Sequence, residues 1–514
     1  MSKTQKDTTL WPKMPSGFVR RLLDGHKTLG LALAGILYLI CLTGWVGVYY
    51  VEFERWERPN IPEFSMATPE AIARAAADTR KVMLADTHRG PLDTDIYIGT
   101  PTESMPRLIV GYGHEARGYD AQGNFAGEAT HDLTHFLTEM HYYLHLPESF
   151  GMIVVCAFGV GMLALLIGGA LSHPRMFRDA FTLRARTQGH LTRADVHNRL
   201  GAWTLPFAVI ITLTGTLIGL SQVVALVMGM AFYDGNSLKA YEPIFGSQAE
   251  IDAATGGKPL NGDPAIVNAI TQIRKAQPEQ PITFIAIRMV ATPQEFIEIT
   301  TMPSQRLVYG EAWRFDANGN LKGSYHLSDG PAGRQISASL YSLHFGNFGG
   351  HPVKLIYALL GLGLTVMIAA GMDIWLTKSA GRGRPRPGLH RLWTVLVYGS
   401  PAAIALTFVA SMPTGWNPVA LFWGLMAFMA VATIISLRFT HAPIAQVSRL
   451  MRLVLGAGLI AMPVCHFAVN GSFSFAALQL SLPLTLLGLG FAVTALRGLA
   501  LQTPAKATVA APGE

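Results

Sequence analysis

The chain has 514 residues, 50% of them hydrophobic and only 14% charged, a composition that excludes an ordinary soluble globular protein and points to a membrane protein. A formal net charge of +7 raises nucleic acid as a partner, but the basic residues gather in short connections between apolar runs, which is a membrane-topology pattern, and nucleic acid is excluded. Cys41, Cys156 and Cys465 all lie inside apolar runs, so neither a disulfide framework nor a zinc site is encoded.

Residues 1–26 form a Lys- and Arg-containing start. The apolar run 27–51 is too long for a signal-peptide core and lacks a small-residue cleavage site, so it reads as a retained first span. A polar segment, 52–149, precedes span two at 150–171. A basic loop, 172–199, leads to a long third span at 200–229 and a second polar segment at 230–352. Span four, 353–377, and a second basic loop, 378–391, precede four more spans within 392–496 (392–411, 417–438, 451–469 and 475–496) and a tail, 497–514.

Arg175, Arg178, Arg184, Arg186 and Arg193 follow span two; Lys378, Arg382, Arg384, Arg386 and Arg391 follow span four; Arg438, Arg449 and Arg452 follow span six. The connections Ser411 to Asn417 and Asn470 to Ser474 carry no basic residue, so both termini are expected in the cytoplasm and the chain is multi-pass in lipid. Residues 52–140 hold 15 acidic against 8 basic side chains, which assigns that segment to the opposite face.

Each polar segment is long enough for a small α+β module. A helix-like stretch (Pro69 to Leu84; Pro264 to Ala276) precedes alternating strand-like runs, among them Arg107 to Tyr112, Ile282 to Met289 and Glu295 to Thr300. Gly118-Tyr-Asp-Ala-Gln-Gly-Asn-Phe and Arg314-Phe-Asp-Ala-Asn-Gly-Asn-Leu place Gly and Asn as hairpin turns require; as calcium loops they lack the sixth-position glycine and the twelfth-position glutamate.

The halves repeat. Asp24-Gly-His26-Lys-Thr-Leu-Gly30 before span one matches Asp195-Val-His197-Asn-Arg-Leu-Gly201 before span three, and both continue without a gap to Thr43-Gly44 and Thr214-Gly215. The eighteen residues from His26 to Gly44 make five helical turns, so the glycine lies on the histidine's face about 27 Å away, nearly one hydrocarbon thickness. On the other face, Met140-His141-Tyr-Tyr-Leu-His145 leads into span two and Leu343-His344 through His351 into span four. Gly168 and Gly371 each follow the first histidine by 27 residues, and Gly159 follows His141 by eighteen.

A lone interfacial histidine commonly sits at a helix end among headgroups. Four at repeat-related positions point to function. Neutral imidazoles bind iron axially, and two saturate it, which favours electron transfer over oxygen binding. Two haem b groups are expected, one between His26 and His197 on the cytoplasmic side and one between His141 and His344 on the other, with Gly30, Gly44, Gly201 and Gly215 giving the macrocycles room. His145, four residues from His141, and His351 are alternative ligands. No Cys-x-x-Cys-His is present, so haem is not thioether-linked. His173, His190, His390 and His441 fall in basic loops and read as solvated, and His466 as polar glue between helices.

The segments His26 to Gly44, His141 to Gly169, His197 to Gly215 and His344 to Trp375 resemble the PepSY-associated transmembrane family, which includes ferric-siderophore reductases and iron-regulated proteins of the bacterial inner membrane. The resemblance covers about residues 15 to 380. It implies a membrane all-α bundle with an internally duplicated four-helix, two-haem core, two PepSY-like periplasmic modules, and a haem-dependent ferric-chelate reductase that takes Fe(III) from a siderophore. Siderophore oxygen ligands are hard and prefer Fe(III), so reduction releases the metal. The four C-terminal spans depart from the family pattern. No dinucleotide fold, P-loop or flavin domain is encoded, so electrons would come from the quinone pool or a cytoplasmic reductase. A haem-free PepSY sensor or inhibitor of a partner, and a duplicated transporter, are the competing readings; the paired mid-membrane polar residues and broken helices of a transporter are not evident.

Overall fold

The computed structural model describes residues 14–500 apart from 91–92, 174–175, 177–179, 181–188, 243–261, 305 and 440–442. Among the described residues are thirteen α-helices, eight of them long and apolar enough to cross a membrane, and one antiparallel sheet. The protein is thus a multi-pass membrane protein. In chain order the helices are α1 (Ser16–Gly47), α2 (Tyr50–Glu57), α3 (Pro69–Ala85), α4 (Asp132–Tyr142), α5 (Glu148–Ser172), α6 (Gly189–Phe232), α7 (Gly262–Ala276), α8 (Ala332–Phe345), α9 (Gly350–Gly381), α10 (Pro387–Thr414), α11 (Pro418–Phe439), α12 (Ile444–Asn470) and α13 (Phe475–Ala500). The third span runs over Arg193–Phe232, further at both ends than the sequence suggests. At 1.5 Å per residue it is about 60 Å long and projects beyond the hydrocarbon layer.

Helices α1, α5, α6 and α9 pack as a ring in which α1 touches α5 and α9, and α6 touches the same two. The two histidine-bearing spans, α1 and α6, therefore stand diagonally. Leu37, Met162, Leu166, Ala208, Leu364 and Met367 form the core between them.

The polar segments do not fold as two separate modules. Their strands, β1 (Ile96–Gly99), β2 (Leu108–Tyr112), β3 (Glu115–Tyr119), β4 (Phe125–Glu128), β5 (Ile282–Arg288), β6 (Phe296–Thr301), β7 (Glu311–Phe315) and β8 (Leu321–Ser324), make one eight-stranded sheet in the order β4-β3-β2-β1-β5-β6-β7-β8. The seam is β1 on β5, with Tyr97 opposite Ala286 and Ile98 opposite Ile285. Separate sheets would each expose β1 or β5 as an unpaired hydrogen-bonding edge, and pairing them removes both edges. It also lets α3 and α7 pack together over one face, burying Ile72, Met83, Ile266 and Ile270 with Ile98, Val110, Ile285 and Ile299 in a shared core.

The repeated turns are tight for a stated reason. Gly123 and Gly319 have φ of 81° and 74°, and a Cβ on either would strike the carbonyl of Ala71 or Ala265 in the helix beneath. Asp120 and Asp316 close the turns by accepting from the backbone N–H of Asn124 at 2.8 Å and of Asn320 at 2.9 Å.

Helices α10 to α13 form a second bundle that docks on the first half of the chain: α10 on α1, α11 on α4 and α13 on α2. Trp56 in α2 is fully buried at this junction. Its ring stacks on His466 at 4.2 Å, its carbonyl accepts from His466 Nε2 at 2.6 Å, and its indole N–H donates to Ser481 Oγ at 3.0 Å. His466 thus ties α12 to α2.

Candidate functional site

Two histidine pairs lie in the four-helix region, one near each end of α1. His26 (α1) faces His197 (α6) with ring centres 6.4 Å apart and ring planes at 78°. His141 (α4) faces His344 (α8) at 6.1 Å and 29°. The second pair lies on the side of the sheet, hereafter the domain side; the first lies on the side of the Lys378–Arg391 loop, hereafter the basic side.

Each ring is anchored through Nδ1, which donates to a backbone carbonyl of a spanning helix: His26 to Leu165 at 3.0 Å, His197 to Met367 at 2.8 Å, His141 to Ile40 at 2.9 Å and His344 to Ile211 at 3.0 Å. A carbonyl oxygen only accepts, so a proton stands on Nδ1, and in the neutral ring Nε2 then keeps its lone pair. This is the arrangement in which imidazoles ligate metals: the second nitrogen fixes tautomer and orientation. Burial holds both domain-side rings below the usual imidazole range, and His344, which also faces His141, is held down at about 4, so both are neutral and able to donate the pair.

One local rule governs all four anchors. Four residues after each acceptor stands a glycine: Gly169 after Leu165, Gly371 after Met367, Gly44 after Ile40 and Gly215 after Ile211. A carbonyl on a helix points toward residue i+4, so a ring reaching it crosses that residue's Cα. A Cβ there would lie 2.6 Å from His141 Cε1 at Gly44, 2.5 Å from His344 Cε1 at Gly215, and 3.2 Å from His26 and His197 Cε1 at Gly169 and Gly371.

The structure sets His26 beside His197 at one end of the ring and His141 beside His344 at the other, with Gly44 and Gly215 against the His141 and His344 rings where the sequence predicts a macrocycle. Helices α1 and α6 run unbroken from histidine to glycine, so the five-turn register holds in both. Gly30 and Gly201 touch no histidine; a Cβ there would make ordinary contact with Leu165 at 3.7 Å or Met367 at 3.4 Å.

The register expected from His141 along span two fails. Helix α4 ends at Tyr142, Leu144 and His145 take φ of 57° and 56°, and span two starts afresh at Glu148. Gly159 accordingly lies against Thr216. Helix α8 likewise stops at Gly346, in the left-handed region at φ 66°, before α9 begins. These breaks turn His141 and His344 inward from short helices of their own. His145 folds back instead, stacking on Phe136 at 5.0 Å and donating from Nε2 to the Phe136 carbonyl at 2.9 Å, and His351 is exposed at the start of α9. His390 lies 3.7 Å from Asp373. The His190 side chain and His441 lie outside the described residues.

Sequence reasoning does not reach the ring seats: it sets Gly44 and Gly215 against a macrocycle and gives Gly169 and Gly371 no such part, because each seated histidine comes from another helix. It also misses the ion pair of Lys354 Nζ with Glu52 Oε1, 2.7 Å long and buried, in which Glu52 Oε2 has no hydrogen-bond partner among the described residues. Among the described residues no three His, Cys, Asp or Glu side chains converge as a metal-binding group. The site offers imidazoles in twos.

Residues 23–378 match the family described as the PepSY-associated TM region. A protein of Pseudomonas aeruginosa described as uncharacterized is 25% identical over 271 residues, covering 50% of this chain and 67% of its own length. The match takes in the ring of four spans, both histidine pairs and the whole sheet, and stops before the second bundle. The chain belongs to the PepSY-associated TM region family.

Proposed function

We propose that the protein is a di-haem electron carrier of the bacterial inner membrane that reduces a ferric siderophore on the periplasmic face, which is the domain side, with both termini in the cytoplasm. The observation that carries this reading is the pairing of four imidazoles, each anchored through Nδ1 to a carbonyl of the four-helix ring, His26 with His197 and His141 with His344. Two imidazoles that were to share one metal ion at metal–nitrogen bonds of about 2 Å would have ring centres up to about 6.4 Å apart. The pairs measure 6.4 and 6.1 Å. Two protein ligands without a third suit a metal whose remaining positions a macrocycle fills.

Bound at these pairs, haem b would supply a one-electron Fe(III)/Fe(II) couple on each side of the membrane. The chain's own part is to hold each ring by Nδ1, to keep Nε2 unprotonated, and to set the pairs roughly 21 to 27 Å apart along α1, close to one hydrocarbon thickness. Apolar packing from Leu37, Met162, Leu166 and Leu364 excludes water between them. The sheet lies on the same side as the His141–His344 pair, and a ferric chelate would dock on that side. The electron donor on the basic side would be the quinone pool or a cytoplasmic reductase.

Absorbance spectra of the detergent-purified protein, oxidised and dithionite-reduced, with pyridine-haemochrome stoichiometry, test the cofactor: a six-coordinate b-type spectrum with two haems per chain is expected, and a haem-free preparation from haem-replete cells overturns it. Oriented proteoliposomes with an internal reductant and an external ferric siderophore test the reaction. Wild type should yield external Fe(II) and the His141→Ala, His344→Ala double variant should not; equal yields remove the reductase reading.

A further inference from the structure

The anchors of the two pairs differ in one respect. On the domain side the residue three after each acceptor carbonyl is a threonine, Thr43 after Ile40 and Thr214 after Ile211; on the basic side it is Gly168 after Leu165 and Ala370 after Met367. The Thr43 hydroxyl donates to the Leu39 carbonyl at 2.8 Å and reaches the Ile40 carbonyl at 3.2 Å. The Thr214 hydroxyl donates to Ile210 at 2.7 Å, reaches Ile211 at 3.2 Å, and lies 3.2 Å from His344 Nδ1 itself. Both threonines are buried, so no solvent competes for these hydroxyls.

We infer that Thr43 and Thr214 are positioning residues that set the domain-side haem at a higher reduction potential than the basic-side haem. This rests on the di-haem reading. A carbonyl that accepts from the free ring N–H makes a ligating imidazole more basic, and a more electron-rich ligand favours Fe(III). Where a hydroxyl shares that carbonyl, the oxygen has less charge to offer the ring N–H, the imidazole donates less to iron, and Fe(II) gains. At Ile40 and Ile211 the oxygen is shared, and at Ile211 the Thr214 oxygen also accepts from His344 Nδ1–H at 3.2 Å, which opposes the effect there and makes Thr43 the stronger of the two. At Leu165 and Met367 no side-chain hydroxyl stands within one helical turn C-terminal to share it. The resulting gradient runs downhill for electrons from the basic side to the domain side, the direction the proposed reaction needs. A threonine that only bonds its own helix, as buried helical threonines commonly do, would leave no such asymmetry.

The test is potentiometric titration of the purified holoprotein, followed optically, with the domain-side haem assigned in a His197→Ala background. Thr43→Val and Thr214→Val preserve shape and remove the hydroxyl. Each should shift the domain-side equilibrium toward Fe(III), Thr43→Val the more, and the double variant by about tenfold, or about 59 mV for a one-electron couple. Thr43→Ser should restore the wild-type value, and Ala370→Ser, which installs a hydroxyl beside the Met367 carbonyl, should raise the basic-side potential. A double valine variant that titrates like the wild type, or that shifts both haems alike, overturns the inference while the di-haem reading stands. A wild-type chain purified without haem overturns both.

Discussion

Lys354 in α9 and Glu52 in α2 meet at 2.7 Å with both side chains buried, joining the second half of the chain to the first. The pair lies near the Tyr50–Phe345 ring contact at 5.8 Å, next to His344 in sequence. Breaking such a pair from one side strands a charge away from water, at a cost of about 3–5 kcal/mol, whereas replacing both partners with apolar groups is often close to neutral. Lys354→Met should therefore destabilise the detergent-solubilised protein strongly, and Glu52→Leu with Lys354→Met much less. Unfolding curves of the single and double variants check this; a single variant as stable as wild type would show that the pair is solvated.

If the pairs hold haem as proposed, substitution of the four seat glycines should separate from substitution of Gly30 and Gly201. Gly44→Ala and Gly215→Ala push a methyl into an imidazole at 2.6 and 2.5 Å, an overpacking worth about 1–3 kcal/mol, and should disturb the domain-side haem spectrum. Gly169→Ala and Gly371→Ala, at 3.2 Å, should disturb the basic-side haem more mildly. Gly30→Ala and Gly201→Ala should leave both spectra close to wild type. Low-temperature spectra of the six variants would discriminate these outcomes, and a Gly30→Ala effect as large as that of Gly44→Ala would contradict the seat assignment.

On the di-haem reading the two haems should be lost separately, because the proposed ligand pairs come from different helices. His197→Ala should remove about half the haem and leave the domain-side spectrum, and His141→Ala should do the converse. Pyridine-haemochrome stoichiometry is the readout; full haem content in both variants would exclude these ligands.

The domain should weaken in alkali through His131. Burial alone would lower this imidazole, but the Glu54 carboxylate, 3.0 Å from Nε2, outweighs burial and raises it to about 9 from its ordinary 6.5. The folded state thus holds the proton more tightly than the unfolded chain. Its contribution is complete below about pH 6.5 and is lost as pH rises through about 9. Thermal unfolding across that window should show a decline that Glu54→Gln flattens; an unchanged slope in the variant would assign the decline to other groups.

What the sequence determined by itself was everything governed by short-range periodicity. Apolar runs of span length mark eight membrane helices, and the His26 to Gly44 and His197 to Gly215 registers hold because α1 and α6 are continuous, so five turns in sequence are five turns in space. The stretches read as helices and strands in the polar segments also fold as such, since alternation and turn chemistry are local. Tertiary structure decided the rest. Whether Ile98 pairs with Ile285 or stays at an edge depends on two strands meeting across a membrane-spanning interval, and no periodicity records that meeting. The seats of His26 and His197 on Gly169 and Gly371, the docking of the second bundle on Trp56, and the inward turn of His141 after the chain breaks at Leu144 are likewise contacts between distant segments. Each is selected by burial and hydrogen-bond satisfaction in the assembled fold, so each became legible only when the partner surface was in place.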